Sequence, residues 1–112
     1  MARWGGQMDT GYIDRELDNF ISEKIMEDMG KRSYSANIAF AWQVVEKMMR
    51  KYFCELWLDV FLGVTGEHWV ASFYNPRQLK RYEASGATAP LDICRAAQSA
   101  YIDLVGAGSR NS

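Results

Sequence analysis

The sequence predicts an α+β fold, a three-layer α/β/α sandwich in the order α-α-β-β-β-α with a small antiparallel sheet. Three observations carry this. Two strand-like runs, CELWLDVFL (54–62) and HWVASFYN (68–75), are joined by GVTGE, which is too short for a parallel crossover. Both runs carry large apolar residues on both faces, so each face needs a cover. Segments of helical period stand before and after them.

The chain has 112 residues, 48% of them hydrophobic and 13% aromatic, which is the composition of one folded domain able to build a core without staples. Its net charge of −1 gives no general attraction for nucleic acid or an anionic membrane. Cys54 and Cys94 have no CxxC partner and no His at metal spacing. Each sits where a small buried side chain fits, so free core thiols are expected, as in a reducing cytoplasm. No leader-like or membrane-spanning apolar run is found.

In order, residues 1–9 read as a flexible tail, with Met8 as an alternative start or the preceding residues as a vector remnant. A single domain is expected over 10–105 and a second tail over 106–112. Residues 10–29 read as the first helix, with Ile13, Leu17, Phe20, Ile21, Ile25 and Met29 at helical spacing. Asp9 or Thr10 is the expected cap, Asp14 and Glu16 suit its positive end, and Gly30 is the stop. A second helix starts near Ser33 or Ser35. Its core stripe is read as Ile38, Trp42, Val45, Met49 and Tyr52, widened by Ala41, Val44 and Met48.

In the first strand, 53–62, Leu56, Leu58, Val60 and Leu62 alternate with Glu55, Trp57, Asp59 and Phe61. Gly63 and Gly66 suit a hairpin. Trp69, Ala71 and Phe73 alternate with His68, Val70, Ser72 and Tyr74, and Asn75-Pro76 ends the second strand. Residues 78–84 read as a charged third edge strand. Thr88 caps the last helix with Pro90 in its first turn. Its inward stripe is Leu91, Cys94, Ala97 or Gln98, Tyr101, and Leu104 or Val105. Helices two and three are expected over the Leu56/Leu58/Val60 side, and the first helix over the Trp57/Phe61 side.

Three pieces, NIAFAWQVVEKM (37–48), WVASFYNP (69–76) and TAPLDICRAA (88–97), with their spacing, resemble the phage ABA-sandwich domain, a family of small phage and prophage proteins. The resemblance covers about residues 10–105. It implies a helix/sheet/helix sandwich and a phage or prophage origin, and it transfers no catalytic residue. The segment GKRSYS before the second helix is shorter than the family's loop.

No catalytic constellation stands out, so the protein is read as not an enzyme, with no cofactor and no metal. His68 has no nucleophile in motif context. GVTGE lacks the ending and setting of a phosphate loop. The acids of the first helix lie along it as a solvated face. The best candidate patch is Arg77, Lys80 and Arg81 with Tyr74 and Tyr82, since guanidinium and aromatic groups together suit a phosphate and a base. Trp57 and Phe61 are candidate interface residues. The expectation is a small non-enzymatic phage accessory protein in the cytoplasm of an infected or lysogenic host, a homo-oligomer with a dimer as first guess. Its expected role is counter-defence, by binding a host defence protein or sequestering a nucleotide signal. The alternative is a structural or nucleic-acid-associated phage protein, because α-β-β-β-α is also the order of the double-stranded RNA-binding domain. The start of the last helix, TAPLDICR, lacks the lysine cluster of that module.

Overall fold

The computed structural model describes residues 14–28, 32–63 and 66–111. The first described helix, α1 (Arg15–Phe20), runs on into a π-helix over Ile21–Met26. Asp14 caps it, its carboxylate accepting from the Leu17 N–H at 3.0 Å. The caps expected at Asp9 or Thr10 and the stop at Gly30 lie outside the described residues. Glu27, in the left-handed region at φ 55°, follows the π-helix. Leu17, Ile21 and Ile25 form the buried side of this element.

The second helix, α2 (Ile38–Tyr52), starts later than Ser33 or Ser35. Asn37 is its cap, accepting from the N–H groups of Ala39 and Phe40 at 2.8 and 3.2 Å. Ser35 is used otherwise: its N–H donates to the buried carboxylate of Asp18 at 2.8 Å and ties the turn to α1. Phe53, at φ 59°, closes the helix in the left-handed region.

The buried face of α2 differs from the expected stripe. Ala41, Val44, Val45 and Met48 are buried, whereas Trp42 is 47% exposed and Ile38 and Met49 are half exposed. Two apolar stripes lie side by side on this helix, and the one with smaller side chains goes inward. The cause is its neighbour, the last helix, α3 (Ala89–Asn111), which buries Cys94, Ala96, Ala97 and Ala100. Small residues on both helices allow close approach, and a tryptophan there would force them apart.

The strands β1 (Glu55–Gly63), β2 (Gly66–Asn75) and β3 (Lys80–Gly86) form one antiparallel sheet in the order β1-β2-β3. The register sets Leu56, Phe73 and Tyr82 in one row and Leu58, Ala71 and Ala84 in the next. Successive side chains alternate faces, so these rows share one face. α3 lies over β2 and β3, and α2 over β1. Phe73 and Ala71 are fully buried beneath them, and Leu58 is half buried against the same core. α1 packs on α2 and α3 rather than on the Trp57 side. The α+β class, element order and antiparallel hairpin are as expected. Among the described residues, the helices gather on the Leu56/Phe73/Tyr82 face, and Trp57 on the other face stays 53% exposed.

Two turns depend on single residues. The Asn75 side chain accepts from the N–H groups of Arg77 and Gln78 and donates to the Tyr52 carbonyl. It thereby shapes the β2–β3 turn and anchors it to the end of α2. Leu79 completes that turn at φ 54°, with its side chain in solvent. α3 continues to Asn111, past residue 105 where the sequence places the start of a tail.

Candidate functional site

The five side chains of the Arg77–Tyr82 patch do not converge. Strand alternation sends Lys80 and Tyr82 to the helix-covered face and Tyr74 and Arg81 to the opposite one. On the covered side, the Tyr82 hydroxyl donates to the Asp103 carboxylate at 2.6 Å, and Lys80 Nζ reaches the same oxygen at 3.1 Å. Burial and that carboxylate push the Tyr82 phenol well above its usual range. These two residues dock α3 on the sheet edge. Arg77, in the turn, stacks its guanidinium 3.9 Å from the Phe53 ring centroid. Nothing in the amino-acid order separates a docking lysine from a ligand-binding one; the register does.

On the uncovered face, Trp57, Ser72 and Glu83 form one row and Glu55, Tyr74 and Arg81 the next. The Arg81 guanidinium lies 5.5 Å from the Trp57 ring centroid. That pair spans β2, and the row between them holds only Ser72, which is buried. Arg81 and Trp57 therefore form a bridge of flat groups across the sheet, beside half-buried Tyr74. The backbone of Phe61 continues the same side of β1 opposite His68, but its side chain lies outside the described residues. Glu55, Asp59 and Glu83 are exposed on this face with Arg81, so its described charges are mostly negative.

A second feature escaped the sequence reading. Asp92, in the first turn of α3, is fully buried, and neither carboxylate oxygen has a hydrogen-bond partner among the described residues. Burial pushes its pKa up to about 6 against the pull of Arg95, His68 and the nearby Gly86 amide, which approaches without completing a bond. Gly86 is there because a Cβ at that position would stand 2.7 Å from an Asp92 oxygen. The Gly86–Asp92 pairing has no signal in the spacing, since it joins a strand end to a helix start across a loop.

Cys54 and Cys94 are free and buried. Burial pushes the Cys54 thiol up to about 11 and raises Cys94 as well, so both stay protonated at neutral pH. Among the described residues, no group of three His, Cys, Asp or Glu side chains is placed to hold a metal ion, and no helix is long and apolar enough to cross a membrane.

No curated protein and no solved structure matches the chain. The model of the phage ABA sandwich domain matches residues 7–98, which takes in the three strands, α2 and the first part of α3. The chain belongs to the phage ABA sandwich domain family.

Proposed function

We propose that this small phage protein is a non-enzymatic accessory protein that binds a protein of the bacterial host through the uncovered sheet face, in a counter-defence role. The observation that carries the reading is the composition of that face. Trp57, Tyr74 and Arg81 are the residue types that dominate protein interfaces, and Arg81 is already held against Trp57. Glu55, Asp59 and Glu83 around them suit a partner with basic residues. The same carboxylates oppose a phosphate, which weakens the nucleotide-sequestering reading, and Lys80 is occupied by Asp103. The family membership supports the phage setting.

A phage-protection assay tests this directly. Trp57→Ala and Arg81→Glu should each abolish protection while the melting temperature hardly moves, since loss of one interface anchor costs about 2 kcal/mol or more of binding. Calorimetry with cyclic and adenosine-derived nucleotides should show no heat, and purified protein should carry no material absorbing at 260 nm. Full protection by both variants, or nucleotide binding that an Arg77→Ala/Arg81→Ala variant loses, would overturn the proposal.

A further inference from the structure

The two edges of the sheet are built differently. β3 is seven residues long and bears Lys80, Arg81 and Glu83, the charges that discourage pairing with another chain. β1 is nine residues long, pairs with β2 one for one without a bulge, and contains no Lys, Arg or Pro. Its other edge has no strand beside it among the described residues. Because Gly63 and Gly66 face each other across a two-residue connection, Gly63↔Gly66 is a hydrogen-bonded pair and alternate pairs follow it. The backbone N–H and C=O groups of Leu56, Leu58 and Val60 therefore point to the free edge.

The helix above this edge is apolar where it meets solvent. On α2, Lys51 bonds Glu27 at 2.8 Å and marks the flank that faces the first helical element. At about 100° per residue, Trp42 stands half a turn round from Lys51, on the opposite flank, and Ile38 and Met49 lie within about 40° of it. These three are half exposed, as is Val60 on the strand below. An unguarded edge and an apolar helix flank thus lie on the same side of the molecule.

We infer that this side is a two-fold interface between two copies of the chain, in which β1 pairs antiparallel with β1 of the second copy and the two α2 flanks meet above it. Charge selects the occupant and the register. A two-fold axis through Asp59 would set two carboxylates opposite each other. An axis through Leu58 sets Leu58 opposite itself, Leu56 opposite Val60, and Trp57 opposite Asp59, with no like charges opposed and an apolar row continuous with the core. The joined sheet has six strands, ends in the charged β3 edges, and leaves the Trp57/Arg81 faces of both copies open. The dimer is therefore independent of the binding role assigned to those faces.

Sedimentation of the full chain tests the inference. Wild type should be a dimer at tens of micromolar. Val60→Pro removes one free-edge N–H that the intrachain ladder does not use, and Trp42→Glu charges the α2 flank. Each should weaken dimerisation by about tenfold or more, as loss of about 1.4 kcal/mol does, with circular dichroism unchanged. Leu58→Cys gives an independent check should the proline disturb the strand. A self-opposed pair is about 5.5 Å apart at Cα, within disulfide range, so oxidation should yield a covalent dimer, and Trp57→Cys should not. A monomeric wild type, a dimer that withstands both Val60→Pro and Trp42→Glu, or no link at Leu58→Cys overturns the inference. Dimers that withstand Trp57→Ala and Arg81→Glu while protection is lost would keep the two surfaces distinct.

Discussion

The two faces of the sheet hold similar numbers of large side chains but do different work. On the covered face, Phe73 and Ala71 are shut in beneath α2 and α3, and the polar groups there are committed, as Tyr82 and Lys80 are to Asp103. On the open face, Trp57 and Arg81 satisfy each other without leaving solvent. The difference teaches that aromatic content by itself does not identify core: what matters is whether a helix lies over the row.

The sharpest way to break the comparison is to truncate one residue from each face. Phe73→Ala should cost about 3–5 kcal/mol, because it empties a fully buried site, and chemical denaturation would measure it. A cost near that of a surface substitution would mean that the helices do not rest on this face.

Asp92 is the next largest effect and depends on pH. Its folded-state pKa, about 6, lies above the ordinary 3.8. Between those values the folded chain keeps the proton that the unfolded chain has lost. This group therefore leaves stability untouched below about pH 4, lowers it progressively as pH rises toward 6, and holds it down above that. Asp92→Asn should flatten that slope and stabilise the protein at pH 7 by about 2–3 kcal/mol. Denaturation at pH 4, 5, 6 and 7 would show whether the two curves diverge as expected.

Smaller changes sharpen the contrast. Tyr82→Phe removes a charge-assisted hydrogen bond to Asp103 and should cost about 1–2 kcal/mol, whereas Tyr74→Phe on the open face should be near neutral by the same measurement. Trp57→Ala loses mainly a cation–π contact at an exposed site and should cost less than about 1 kcal/mol. A larger loss would show that Trp57 is covered in solution, and its dependence on protein concentration would reveal whether a second copy covers it.

Much of the fold was legible because it follows from local rules. Alternation in 54–62 and 68–75, the short GVTGE connection and the Asn75-Pro76 stop each restrict the backbone directly. The buried free thiols followed from their apolar surroundings. The inward face of α2 was not legible, since Ile38/Trp42/Met49 and Ala41/Val44/Met48 are both acceptable apolar stripes. Side-chain size favours the first and interhelical distance the second. The patch at Arg77–Tyr82 failed to assemble for a similar reason: neighbours in a strand point to opposite faces, and α3 supplied Asp103 to two of them.

The amino-acid sequence by itself determined the element order, the antiparallel hairpin and the family, because periodicity, turn residues and quoted segments act over a few residues. Tertiary structure alone decided which stripe of α2 is buried, where Asp92 comes to rest against Gly86, and which sheet face stays open. Each of these depends on the distance between elements far apart in the chain, and that distance is set by packing small side chains such as Ala97 and Ala100 against their neighbours.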